Sequence, residues 1–223
     1  MSNVNVSSAK TELIQAAKVL ASSGLLFRGE HANLSARVGE NKVVITRGGS
    51  IANLGDDSFA VVTLEGAVVE GELDSVTNEV VEMHTAVYRV RDSVGSVMHV
   101  HAPHATVFAV AHQEIPLIYE PLVRFGITES IPVVPWAPRG SEESVSGIVQ
   151  IVRKHPGLPA VLLANHGVLA FSSSPMQTAR LLATLDEAAE LALGAQALGG
   201  AKTLPKQAYT QVEARMRAFG STM

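Results

Sequence analysis

Hydrophobic and polar positions run along this chain in two rhythms. Leu13, Ala16, Ala17 and Leu20 recur at helical spacing, so residues 8–23 read as a helix that Gly24 is placed to end. HANLSARV and NKVVITR alternate with the period of two that marks strands, and GGSIANLGDDS is a loop of glycine and turn formers. FAVVTLEGAVVEGEL predicts a strand, a turn at Glu65-Gly66 and a second strand. In TNEVVEMHTAVYRVR, Val80, Met83, Val87 and Val90 form a helical stripe with Thr77 or Asn78 as its cap. GSVMHVHA reads as a strand, and PHATVFAVAHQ opens a helix with Pro103 in its first turn. The proline-rich IPVVPWAPRGSEE is extended or looped. SEESVSGIVQIVRKH is a helix with acids in its first turn and bases in its last. AVLLANHGVLAF predicts strand, tight turn, strand. SPMQTARLLATLDEAAELALGAQALG is a long helix with a break expected near Gly194, and the tail is a short helix with loose ends. Helices mixed with hairpin strands predict an α/β fold whose sheet is mostly antiparallel and covered by helices.

Composition narrows this picture. A length of 223 residues with 47% apolar and 17% charged positions suits one globular domain over 1–223. A net charge of −4 gives no pull toward nucleic acid or an anionic membrane. No cysteine is present, which excludes disulfides, thiolate metal sites and a cysteine nucleophile, so any metal here uses nitrogen and oxygen ligands. The start lacks a basic region followed by an apolar core, so no signal peptide is expected. No apolar run approaches the roughly 20 residues needed to span a bilayer; PAVLLANHGVLAF is interrupted by Asn165, His166 and Gly167. A soluble cytoplasmic protein is expected. The low charge content and positive mean hydropathy point to surface hidden in an oligomer.

The chemistry concentrates in SVMHVHAPHATVFAV, where three histidines fall within six positions. Side chains two apart on a strand share a face, so His99 and His101 project together and can chelate a divalent ion. His166, displayed in the turn of ANHGV, is the candidate third ligand. For an isolated turn histidine the plainer reading is polar surface, whereas burying the H-x-H pair without partners is costly. His31, His84, His104, His112 and His155 receive the structural reading, with His84 as a hydrogen-bonded core residue. HVHAPH has the histidine spacing of metallo-β-lactamase-like hydrolases, but Pro103 stands where their aspartate belongs. Amidohydrolase barrels also use H-x-H, yet they need about 250 residues and eight strand–helix repeats.

With HANLSAR, VVITRGGS, TNEVVEMHTAVY, GSVMHVHAPHAT and LLANHGVLAF in this order, the chain resembles the class II aldolase/adducin family from about Ala17 to Leu198. The resemblance implies a three-layer α/β/α fold around a mainly antiparallel sheet. It implies zinc on His99, His101 and His166, with Mn2+ or Co2+ as substitutes. Glu79 is the implied general base and additional metal ligand, with Glu82 as its rival. Asn33, Ser35, Thr46, Gly49, Thr77 and Asn78 are the implied contacts to substrate and its phosphate. Here Ala32 replaces the family's glycine before the asparagine, and TRGGS departs from its T-P-T-G. Tyr119 and Tyr209 are candidates for handling the proton on the departing aldehyde oxygen, at sites shared between subunits of a homotetramer.

The implied reaction is retro-aldol cleavage of a ketose phosphate or sugar-acid phosphate through a metal-stabilised enediolate. A sugar-phosphate 4-epimerase and a sugar-acid decarboxylase share that intermediate. A reading from another class is a non-catalytic interaction module like the adducin head, which lacks the zinc site.

Overall fold

The computed structural model describes residues 5–26 and 31–218. Helix α1 (Val6–Ser22) starts two residues earlier than its apolar spacing predicts, because the Asn5 side chain caps it, accepting from the Ser8 N–H at 2.7 Å. It buries Ala9, Leu13, Ala16, Ala17 and Leu20, and the chain leaves it through Gly24 at φ +70°. Strands β1 (Ala32–Arg37), β2 (Lys42–Thr46), β3 (Phe59–Thr63) and β4 (Val68–Glu70) follow as an antiparallel meander. A 3-10 turn at Asp56–Ser58 sits inside the predicted glycine-rich loop.

The helix expected next is divided. A single turn, α2 (Ser75–Asn78), is followed by a joint at Glu79-Val80 and then by α3 (Val81–Val90). Neither Thr77 nor Asn78 caps α3: Asp74 occupies the N-cap position of α2, and its carbonyl accepts from both of their N–H groups at 2.9 and 3.0 Å. Two anchors compete for this segment. The Asp74 N–H donates to the Arg47 carbonyl and ties α2 to the end of β2, whereas Val81, Met83 and Val87 pull α3 into the core.

Strand β5 (Ser96–Val100) leads into α4 (Pro103–Ala111), α5 (Glu120–Val123), β6 (Val133–Val134) and α6 (Glu142–Lys154). The proline-rich segment thus contributes a two-residue strand. Helix α6 is capped by the Ser141 hydroxyl, with Glu142 and Glu143 in its first turn and Arg153 and Lys154 in its last. Strands β7 (Ala160–Leu163) and β8 (Gly167–Ser172) flank the predicted turn, and α7 (Pro175–Ala195) closes the layer. As expected, the α-helix breaks near Gly194: α7 ends at Ala195 and passes into a 3-10 turn closed by Gly199 at φ +90°. The tail forms α8 (Ala208–Ala218); its end beyond 218 lies outside the described residues.

All eight strands join one sheet in the order β4-β3-β2-β1-β5-β8-β7-β6. Every pairing is antiparallel except the edge pair β6–β7, where Val133 faces Leu162. Helices α1, α4, α5 and α7 cover one face, and α3 and α6 cover the other. Strand alternation divides the core accordingly. Met98 and Val100 pack into the first layer with Leu13, Leu34 and Leu182, whereas Val97 packs into the second with Ile45, Val87 and Phe171. His99 shares its face with Val97, so the α3/α6 side carries the chemistry. None of the helices among the described residues is long and apolar enough to cross a membrane.

Candidate metal centre

His99 and His101 reach the site from the central strand β5 and its C-terminal extension, and His166 from the β7–β8 turn. His99 Nδ1–H donates to the Val168 carbonyl at 3.0 Å, which leaves Nε2 bare and aimed at the site. That nitrogen stands 3.2 Å from His101 Nε2. Two nitrogens sharing a tetrahedral ion at about 2.0–2.1 Å each are separated by about 3.3–3.4 Å. One donor atom from each of the three rings lies within 4.8 Å of the others.

The turn that presents His166 is clamped from behind. Asn165 adopts a left-handed φ of 56°, its N–H donates to the Ala109 carbonyl at 3.1 Å, and its Oδ1 accepts from His112 Nε2 at 2.6 Å. His112 is itself left-handed at the end of α4, with φ 53°. The glycine after His166 is a spatial requirement: a Cβ on Gly167 would lie 2.6 Å from the Val100 carbonyl and 2.9 Å from His101 Cδ2. The β5–β8 approach that brings the rings together depends on that missing carbon.

The three rings share one electrostatic condition. Burial, then the neighbouring His166 and His101, holds His99 well below the usual imidazole range. Burial lowers His101, assisted by nearby His31 and Arg139. Burial, with His101 and Arg139, brings His166 down to about 4. Three neutral imidazoles at neutral pH, with no thiolate among them, fit a borderline divalent ion with an open fourth position.

Glu79 lies at the α2–α3 joint, where the helix break displays it. Its Oε2 accepts from Arg139 Nε at 3.1 Å and from Arg139 Nη2 at 2.8 Å. Both residues line a cavity of about 250 Å³ together with His166 and Trp136. The carboxylate is not part of the three-histidine donor group. Glu82 is tied instead to Arg89 and Thr85 on its own helix, and Arg89 also reaches the Leu64 carbonyl.

Two of the implied phosphate contacts are closed off. Ser35 and Thr46 are fully buried. The Thr46 hydroxyl accepts from the Leu34 N–H at 3.1 Å. Ser35 belongs to a chain of bonds in which Tyr88 donates to Ser35 at 2.9 Å and Ser35 donates to His84 Nδ1 at 2.8 Å. His84 Nε2 then donates to Asn33 Oδ1 at 2.7 Å. Alternation on β1 points Ser35, like Asn33, to the α3 side of the sheet, and α3 packs directly over Ser35. Asn33 is opposite His99 in the β1–β5 register, Gly49 lies beside His31, Thr77 is buried and Asn78 is exposed.

The tyrosines sit elsewhere. Tyr119 packs into the α1/α7 layer beside Glu187, and Tyr209 is on α8, which packs on α5. Within one chain both are on the far side of the sheet from His99, because residue parity on β5 sends the histidines toward α3 and α6. Sequence reasoning passed over Arg139. Its one signal was position: it is the sole Lys or Arg between Arg124 and Arg153, set in a proline-rich loop.

Comparison with known proteins agrees with this architecture. The family model described as the class II aldolase and adducin N-terminal domain matches residues 11–193. A 5-methylthioribulose-1-phosphate/5-deoxyribulose-1-phosphate aldolase of Escherichia coli O45:K1 (strain S88) is 27% identical over 81% of this chain and 81% of its own. A 3-oxo-tetronate 4-phosphate decarboxylase of Haemophilus influenzae is 30% identical over 73% of this chain and 77% of its own. The solved structure of an L-fuculose 1-phosphate aldolase superposes with a TM-score of 0.83 at 26% identity, covering 97% of this chain and all of that one. With a family match running from α1 to the last turn of α7, and across every strand, the chain belongs to the class II aldolase and adducin family.

Proposed function

We propose that the protein is a metal-dependent carbon–carbon lyase acting on a small phosphorylated or acidic sugar. Its divalent ion, zinc or in its place Mn2+ or Co2+, would be held by His99, His101 and His166. The observation that carries this reading is the convergence of three neutral imidazoles beside a cavity whose rim holds the Glu79 carboxylate. When bound, the ion supplies Lewis-acid stabilisation of negative charge developing on substrate oxygens. The chain's own groups do the rest. Val168 orients the His99 ring. Glu79 takes and returns the proton at the reacting carbon. Asn33, Gly49, Thr77 and Asn78 contact the substrate; Ser35 and Thr46, whose hydroxyls are hydrogen-bonded within the fold, do not. Tyr119 and Tyr209 serve the site of a neighbouring subunit in a homotetramer.

Retro-aldol cleavage of a ketose phosphate is the first reading, supported by relatives named as ribulose- and fuculose-phosphate aldolases. Decarboxylation of a sugar acid is the second, favoured by the Haemophilus relative and by the cation beside Glu79. Epimerisation of a sugar phosphate uses the same proton chemistry. Retention of the full nitrogen donor set speaks against an interaction module.

Metal analysis followed by a product screen on ketose phosphates and sugar acids tests this reading. One ion per chain is expected, lost in His99→Ala and His166→Ala with near-native circular dichroism. Full occupancy in the double variant would refute the ligand assignment. Light scattering at micromolar concentration should give a tetramer; a fully active monomer rules out shared sites.

A further inference from the structure

Arg139 sits in the loop between β6 and α6, directly against the joint that carries Glu79. Gly140 sets that approach: its φ is +76°, and a Cβ there would lie 2.9 Å from the Glu79 carbonyl oxygen. Two donors of the guanidinium converge on one oxygen, Glu79 Oε2. Its third nitrogen, Nη1, and the other carboxylate oxygen have no hydrogen-bond partner among the described residues. Both side chains are about half exposed, at 45% and 53%. An ion pair so open to water exchanges partners at little cost.

Among the described residues lining the cavity, Arg139 is the sole lysine or arginine. It shares that cavity with His166, one of the three histidines of the cluster. Arg47, just past the end of β2, is not among the residues lining the cavity. It is paired with Asp74 at 3.3 Å and with Glu72 at 3.8 Å, and the Asp74 carboxylate crowds Gly48, 2.8 Å from where a Cβ would stand. Ser35 and Thr46, the hydroxyls that would have served a phosphate, are buried and engaged.

The cavity wall around Arg139 combines apolar Val80, Val134, Pro135 and Leu163 with the neutral polar side chains of Trp136, Ser144 and Asn165. It offers no second Lys or Arg to balance a phosphate dianion. A carboxylate has two oxygens in one plane, which a guanidinium fork matches by itself. The edge of Arg139 in this structure already rests on a carboxylate, that of Glu79.

We propose that Arg139 is a specificity-determining residue that receives a carboxylate of the substrate, so that the protein acts on a sugar acid. The substrate's carboxylate takes the Nε and Nη2 donors from Glu79, and Glu79 is thereby released for proton transfer. This rests on the metal reading of His99, His101 and His166.

Calorimetric titration of the metal-loaded protein with three hydroxyketones tests the proposal: dihydroxyacetone, dihydroxyacetone phosphate and hydroxypyruvate. All three offer the same hydroxyl–carbonyl pair to a metal, and they differ in carrying no charge, a phosphate or a carboxylate on the third carbon. Metal content is measured first, so failure of the metal reading shows before any ligand is added. Hydroxypyruvate should bind ~10–100-fold more tightly than dihydroxyacetone to the native protein, the range of a charge-assisted bidentate contact. Arg139→Gln should erase that preference with metal content unchanged, and Arg139→Lys should restore part of it. A preference that survives Arg139→Gln, or no preference in the native protein, overturns the proposal. A preference for dihydroxyacetone phosphate that disappears in Arg139→Gln overturns the carboxylate assignment.

Discussion

Glu79 and Glu82 are three positions apart, and sequence alone leaves both open as the proton shuttle. The helix break decides between their surroundings: Glu79 faces the cavity with His166, and Glu82 folds back onto Arg89. Glu79→Gln keeps shape and hydrogen-bonding capacity but cannot accept a proton. Its kcat should fall ~10²–10⁴-fold with metal content retained, because on the proposed assignment the three imidazoles would hold the ion without it. Glu82→Gln should stay near wild type. Steady-state kinetics with metal analysis checks both, and a dead Glu82→Gln beside an active Glu79→Gln would reverse the roles. Ser35 shows how far residue identity misleads. A serine two positions after an asparagine suits anion binding, but α3 lies over this one, which bridges Tyr88 and His84.

At the scale of elements, two short connections decide the site. The α2–α3 joint displays Glu79, and the β7–β8 turn displays His166. The turn was legible, because Asn-His-Gly interrupts two apolar runs. The joint was not, because the stripe from Val80 to Val90 is continuous and its competing anchor, Arg47 on Asp74, is 27 residues away in sequence. Gly167 ties the turn to the three-histidine cluster through space. Gly167→Ala pushes a Cβ into the Val100 carbonyl and the His101 ring, a backbone clash that cannot relax by side-chain rotation alone. Overpacking of this kind costs about 1–3 kcal/mol. Thermal melts and metal titration should show a lower Tm together with weaker metal binding. A lower Tm with unchanged metal affinity would mean that β8 shifts without moving the histidines.

At the scale of the whole molecule, the sheet separates a packing face from a chemical face, and a buried polar chain fastens the chemical face to α3. His84 lies in that chain, and burial brings it down to about 3. Neutral His84 suits its partners, with Ser35 donating to Nδ1 and Nε2 donating to Asn33. A free imidazole takes a proton near pH 6.5. Below that pH the unfolded chain binds a proton that the folded chain refuses. The contribution is therefore complete above about pH 6.5 and is lost as pH falls toward 3. His166, at about 4, acts in the same direction. Urea midpoints of the metal-free protein should decline steadily from pH 7 to pH 4.5. A flat profile over that range would show that these rings are protonated in the folded state.

The sequence by itself determined most element types, a mainly antiparallel sheet and the pairing of His99 with His101 on one strand face. Those follow from local periodicity, in which i and i+2 share a strand face whatever the rest of the chain does. It also carried the ordered motifs from which the family resemblance was read. Tertiary structure alone decided which polar residues face the site and which face the core. Asn33, Ser35, His84 and Tyr88 come from two elements about 50 residues apart and acquire their roles only when α3 lies on β1. It alone set Arg139 against Glu79, 60 residues distant, and put Tyr119 and Tyr209 behind the sheet. Contacts of that range depend on how layers stack and loops close, and local periodicity holds no information about either.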